Sequence, residues 1–202
     1  MLKVYLKEIF KIAQKGDARE ESYYKPLATL MEDFARSISR AKINVTTLPK
    51  KTEAGNPDFR LWDGKQHIVG YIEAKPPEQE DLNKPEESEQ LKRYRCAFPN
   101  MILTNFFEFR LYRDSQLIDK VQIGRPFIAR QLKVVPPPEN EDKFFKLLNK
   151  FFTFSLPRRY TPKTLAEALA GRTHYLREQV LLELGGRNGK LSGFFEAFQR
   201  YL

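Results

Sequence analysis

The chain has 202 residues, 41% hydrophobic and 13% aromatic, enough to bury one sizeable core with or without an appendage, while 30% charged residues leave an ionic surface. Its single cysteine, Cys96, excludes an intrachain disulfide and a cysteine-built zinc cluster, and no apolar run is long enough to span a bilayer, so a cytoplasmic protein is expected. The formal net charge of +9 favours a polyanionic partner, because clustered Lys and Arg release counterions from phosphates, although charge alone does not choose one.

The N-terminal run MLKVYLKEIFKIAQK interrupts its apolar residues with Lys3, Lys7, Lys11 and Lys15, unlike the unbroken core of a signal peptide, and predicts an amphipathic helix. Gly16-Asp17 breaks the pattern. A second helix is expected from about Ala18 to Arg40, with Leu27, Leu30, Met31 and Phe34 on one side. Ile43 to Leu48 reads as a strand, followed by a polar loop through Gly55. In GNPDFRLWDGKQHIVGYIEAKPP two β-rich runs, Asp58 to Trp62 and Ile68 to Lys75, are joined through Asp63-Gly64 as a hairpin, with Pro57 at the start of the first and Pro76-Pro77 closing the second.

The acidic stretch Glu78 to Glu89 is expected to become helical in its second half and to continue through Leu91 and Tyr94. Asn100 to Thr104 reads as a buried strand, and FFEFRLYRDSQLIDKVQIG as a hairpin turning at Asp114-Ser115. This order predicts an α/β domain with a central sheet flanked by helices. After Pro136-Pro137-Pro138, the runs FFKLLNKFF, TLAEALAGRTHYLREQVLLEL and LSGFFEAFQRYL all read as helices, so residues 136–202 are expected to form a helical appendage to a core over 1–135.

Antiparallel pairing around a loop from Asp63 to Ile68 would set Trp62 opposite Val69, Arg60 opposite Tyr71 and Asp58 opposite Glu73. Alternation along a strand then puts Glu73 and Lys75 on one face, with Ile72 and Ala74 on the other. Two converging carboxylates repel unless neutralised, and a hard divalent cation such as Mg²⁺ is held by this kind of oxygen cluster. The metal would polarise a phosphate and acidify bound water. Lys75 is available to orient or deprotonate that water, or to stabilise transition-state charge.

Asn56-Pro57-Asp58 followed by Glu73-Ala74-Lys75 resembles the PD-(D/E)xK nuclease superfamily, with a restriction-endonuclease-like core. The resemblance implies that Asp58 and Glu73 hold Mg²⁺, with Mn²⁺ able to substitute, that the Ala74 backbone carbonyl joins them, and that Lys75 assists the nucleophilic water. It also implies a helix-borne glutamate near the metal, assigned to Glu21 with Glu20 as the alternative register, and a Gln-x-x-x-Tyr element, assigned to Gln90 and Tyr94. The runs EESYYKPL, GNPDFRLW, VGYIEAKPP and SEQLKRYR are similar to the N-terminal nuclease domain of fused restriction-modification enzymes of type IIG and single-polypeptide type I. Over Leu2 to Arg113 this implies cleavage of double-stranded DNA to 5′-phosphate and 3′-hydroxyl ends, with the helical remainder leading toward a methyltransferase and target-recognition region.

Other readings stand beside these. A lone Glu-x-Lys in a strand is usually a solvated face, and only its context argues for chemistry. His67 and His174 lack partners at metal-ligand spacing, Cys96 is expected in the core, and GGRNGKLS fails as a phosphate loop because position 184 is leucine. The rival from another class is a catalytically idle DNA-binding module that keeps the fold. Leu202 falls inside a helical pattern without a glycine or proline stop, so a longer natural polypeptide is expected.

Overall fold

The computed structural model describes residues 1–154, apart from 41, 53, 65 and 66, together with scattered positions between 166 and 181. The chain divides into two compact units, Met1–Leu156 and Pro157–Leu202, and the sheet with its helices belongs to the first. The helices expected over 164–184 and 191–202 lie outside the described residues, isolated positions apart.

Helix α1 (Leu2–Ala13) buries Leu2, Tyr5, Leu6, Ile9 and Phe10, the stripe that its alternating three- and one-residue steps place on one face. The helix expected from Ala18 is shorter and begins differently. A single 3-10 turn spans Glu20–Tyr23, and α2 starts only at Tyr24, running to Ser37. Pro26 accounts for the change: it has no amide to offer the carbonyl four residues back, so it is tolerated in the first turn of α2 but would break a helix continuous from Ala18.

Strands β1 (Asn44–Thr47), β2 (Phe59–Trp62), β3 (Ile68–Ala74), β4 (Asn100–Thr104), β5 (Glu108–Arg113) and β6 (Gln116–Gln122) form one six-stranded sheet in sequence order. It is mixed, because β3 and β4 pair in parallel while every other neighbour is antiparallel. The parallel step needs a crossover, and α3 (Asn83–Glu86) and α4 (Glu89–Ala97) supply it. The β5–β6 hairpin turns where expected, with Asp114 and Ser115 both at positive φ, 45° and 71°, the twist a two-residue turn needs. In the β2–β3 hairpin Arg60 does face Tyr71, but a bulge between Leu61 and Trp62 sets Trp62 opposite Ile68 rather than Val69.

The two sheet faces bury separate clusters. Phe59, Leu61, Val69, Ile72, Ala74, Ile102, Phe109 and Leu111 pack with α1, α2 and a further helix, α6 (Glu141–Phe152), which comes after the short, unanticipated α5 (Pro126–Arg130). Tyr71, Met101, Leu103 and Tyr112 pack on the other face with Leu82, Leu91, Tyr94 and Phe98. The expected boundary at 135/136 is therefore corrected: α6 belongs to the sheet unit. Its residues Phe144, Leu147, Leu148, Phe151 and Phe152 are fully buried, and Asn100 Nδ2 donates to both Val69 O (2.8 Å) and Phe151 O (2.9 Å), clamping the helix end to the sheet. Cys96, expected in the core, is exposed. Among the described residues no helix is long and apolar enough to cross a membrane.

Candidate active site

The end of β3 carries the charged residues. Because Ile72 and Ala74 enter the α1/α2/α6 cluster, alternation turns Glu73 to the α4 face, where it is only 3% exposed. Asp58 lies just before β2, and its backbone carbonyl accepts the Leu48 amide at 2.7 Å, prolonging the β1–β2 pairing. Its Oδ2 accepts the Ala74 amide at 2.8 Å. The hairpin thus brings Asp58 beside Glu73, as antiparallel pairing predicts, and Ala74 enters the observed contacts through its N–H.

Glu73 is a buried carboxyl group with unequal oxygens. Its Oε1 accepts from Lys75 Nζ at 2.7 Å and from Gln90 Nε2 at 3.0 Å. Its Oε2 is buried and accepts from no donor, and the protonated Glu73 carboxyl lies within hydrogen-bonding reach of the Asp58 side chain. Burial pushes the Glu73 carboxyl up to about 8, the nearby Asp58 charge adds to the effect, and Lys75 only partly offsets it. For Lys75, burial is the largest influence and opposes the charged form, but Glu73, Asp58 and Glu20 together outweigh it, and the ammonium is held above its usual range. In this state Lys75 is a hydrogen-bond donor and a positive charge rather than a free base.

Helix α4 delivers Gln90 from its first turn, where the Ser88 hydroxyl caps the helix by accepting the Leu91 amide at 3.3 Å. Tyr94, one turn on, lies 3.3 Å from Gln90 Nε2. The helix is anchored from behind: buried Arg110 on β5 donates to Glu108 (2.7 Å), Asn83 (2.9 Å) and Glu86, and Arg95 also reaches Glu86. On the other side Arg93 Nε donates to Ala54 O at 2.7 Å, which pins the loop leading into Asp58. In that loop Gly55 has φ +131°, and a Cβ there would come within 2.9 Å of the Tyr94 hydroxyl, so the loop passes over Tyr94 only as glycine.

The glutamate assignment on the preceding helix changes register. Glu21 is exposed, whereas Glu20 is half-buried and its Oε1 lies 2.9 Å from the Tyr24 hydroxyl. The 3-10 turn at Glu20–Tyr23 makes this difference, since it winds more tightly than the α-helix the sequence suggests. The same Tyr24 hydroxyl donates to Asp58 Oδ1 at 2.6 Å. Burial raises the Glu20 carboxyl, while its bond to Tyr24 lowers it, Asp58 raises it and Lys75 lowers it. Burial and the Asp58 contact hold the Tyr24 phenol far above its ordinary range, so it stays a donor. Tyr24 is the residue that sequence reasoning passed over; the four-residue step from Glu20, one helical turn, is the signal it left.

Among the described residues no group of three or more His, Cys, Asp and Glu side chains encloses a metal position. The site nevertheless fits a hard divalent cation of the Mg²⁺ kind, which takes one or two carboxylates and fills its remaining positions with water and phosphate oxygens. Asp58 and Glu73 could supply such a pair, and Glu73 Oε2, which accepts from no donor, could take a cation.

Comparison with models of protein families finds no match, and comparison with curated proteins finds none either. Among solved structures, a chain in a cryo-EM structure of a DrdV–DNA complex matches with a TM-score of 0.56 and 23% sequence identity. The match covers 77% of this chain and 14% of that one, so this chain spans a small part of the neighbour's length. At that identity the likeness is one of fold. It agrees with an α/β, restriction-endonuclease-like core in which a mixed sheet is flanked by helices.

Proposed function

We propose that this chain is a Mg²⁺-dependent DNA endonuclease domain whose reacting centre is Asp58, Glu73 and Lys75. The observation that carries the reading is Glu73. A carboxyl group 3% exposed, with one oxygen accepting from no donor and the Asp58 carboxyl beside it, is costly to keep for structure alone. Such cost is common where a site is held ready for a cation and a substrate.

In this reading Asp58 and Glu73 hold the cation, with Glu20 in place of Glu21 as the nearby helix-borne carboxylate. Bound there, a divalent cation would polarise the scissile phosphate and acidify a water molecule. Gln90 holds Glu73 by Oε1, the oxygen it shares with Lys75, which would leave Oε2 for the cation. Lys75 contributes its ammonium: it orients the attacking water by hydrogen bonding and offsets negative charge developing on phosphorus-bound oxygens. Ala74, through its amide, keeps Asp58 in place.

DNA as substrate is supported by the net charge of +9 and by the fold likeness to a chain solved in complex with DNA. As the cleavage module of a restriction-modification enzyme, the chain would operate beside a methyltransferase and target-recognition region of the same polypeptide. The decisive experiment is incubation of supercoiled plasmid with the protein and Mg²⁺ or EDTA. Nicking or linearisation that needs the metal and is lost in Asp58→Ala is expected. DNA binding with no cleavage under any divalent metal would instead establish the idle DNA-binding module.

A further inference from the structure

Asp58 is held at both carboxylate oxygens by donors from different parts of the chain. Oδ2 takes the Ala74 amide at 2.8 Å, and Oδ1 takes the Tyr24 hydroxyl at 2.6 Å. The first donor is fixed by the sheet itself. The second is fixed by packing: the Tyr24 ring is buried, 4.7 Å from Phe59 and 6.4 Å from Phe106 centre to centre. With the Ala74 bond alone, the carboxylate could swivel about it; with both, its plane is set. Each oxygen still has a lone pair beyond the one its donor uses.

Tyr24 also touches Glu20 Oε1 at 2.9 Å, and a hydroxyl has one proton to give. The shorter contact is the one to Asp58. We propose that Tyr24 is a positioning residue that aims the Asp58 carboxylate for cation binding, acting on Asp58 directly and not through Glu20. This rests on the proposed metal-dependent chemistry and adds a role that the nuclease motif itself does not contain. Partners of this kind behind a metal ligand change metal affinity by about 10- to 100-fold when removed.

Tyr24→Phe tests it, since the ring and its packing on Phe59 are kept and only the hydroxyl goes. Mn²⁺ binding to the full chain is measured directly from the loss of the free Mn²⁺ paramagnetic signal, and plasmid nicking is monitored as a function of metal and of DNA concentration. The expected result is a Mn²⁺ affinity about tenfold weaker, with a higher metal half-saturation, an unchanged KM for DNA and cleavage largely restored at saturating metal. The same loss should appear when Tyr24→Phe is introduced into Glu20→Gln. Equal Mn²⁺ affinity in wild type and Tyr24→Phe overturns the proposal while sparing the nuclease reading. A loss that disappears in the Glu20→Gln background overturns it too, by placing the action on Glu20. Wild-type protein that binds no Mn²⁺ removes both proposals together. If Tyr24→Phe lowers the thermal midpoint substantially, binding is measured well below that midpoint, where the same outcomes decide.

Discussion

The Ala74 amide donates to Asp58 Oδ2 at 2.8 Å across sixteen residues of chain, so the entry to β2 and the exit of β3 are held as one unit. The unit is braced by its surroundings: Lys75 N–H donates to Thr104 O at 2.8 Å on the parallel neighbour β4, and the loop before Asp58 is pinned to α4 through Arg93. Positions of the two carboxylates therefore depend on the sheet and on α4 together.

Replacing the acidic pair or the lysine should remove chemistry without removing the fold. Asp58→Ala, Glu73→Ala and Lys75→Ala are each expected to lower metal-dependent nicking at least about a hundredfold, since the first two remove a holder of the cation and the third removes the ammonium that offsets transition-state charge. Thermal midpoints should stay near wild type or rise, because charged groups gathered at a site cost stability. Full nicking by well-folded Asp58→Ala protein would sink the assignment.

The helix-borne glutamate offers a comparison between neighbours. Glu20→Ala should slow cleavage by about tenfold, whereas Glu21→Ala, at an exposed position, should remain close to wild type. Gln90→Leu should resemble Glu20→Ala, because it removes the 3.0 Å bond that orients Glu73. Rates under identical Mg²⁺ rank the variants, and a greater loss in Glu21→Ala than in Glu20→Ala would reverse the register assignment.

Stability of the metal-free protein should depend on pH through Glu73. Its carboxyl is pushed from 4.5 up to about 8 in the folded chain. Between those values the unfolded chain has released the proton that the native chain still holds, so stability falls as pH rises through this window and levels off above about 8. Glu73→Gln lacks this contribution and should gain on wild type across the window, by a few kcal/mol at its upper end. Urea unfolding in EDTA at several pH values measures it; parallel curves for the two proteins would refute the raised carboxyl.

Gly70 tests the packing of α6 onto the sheet. A Cβ at this position would lie 2.5 Å from the Phe151 ring and 2.6 Å from the Asn100 carbonyl oxygen, and the carbonyl belongs to a paired strand that cannot shift freely. Gly70→Ala should therefore destabilise the domain by about 1–3 kcal/mol, the range for overpacking a dense core. A denaturation midpoint equal to wild type would show that α6 is less firmly seated than its contacts indicate.

DNA binding should be weak, indifferent to sequence and strongly opposed by salt. With roughly five phosphates neutralised, the logarithm of affinity is expected to fall against log salt with a slope of about −4 to −5. Fluorescence anisotropy with two unrelated duplexes at several salt concentrations provides the measurement; a flat response, or tight binding of one duplex alone, contradicts it.

Much of the site was legible because it is built from local patterns. Asp58 and Glu73 meet through one hairpin, whose turn residues and alternation are written in consecutive positions, and Gln90 with Tyr94 come from helical spacing after Ser88. The register slipped where a local rule was interrupted. A bulge moved Trp62 away from Val69. Pro26 replaced the first turns of the expected second helix by a 3-10 turn, which turned Glu20 rather than Glu21 toward Asp58.

By itself the sequence determined which residue types lie at the end of which strand, since periodicity and turn chemistry act over a few neighbouring residues. It equally determined the α/β order of elements and the apolar stripe of α6. What only the tertiary structure decided are relations between residues far apart in the chain. Tyr24 reaches Asp58 across 34 residues, Asn100 holds the end of α6 across 51, and Glu73 loses its water to the packing of α4 against β3. Burial and hydrogen-bond partners of this kind depend on where separate elements come to rest on one another. That placement is set by the close packing of the whole core, which no local pattern encodes.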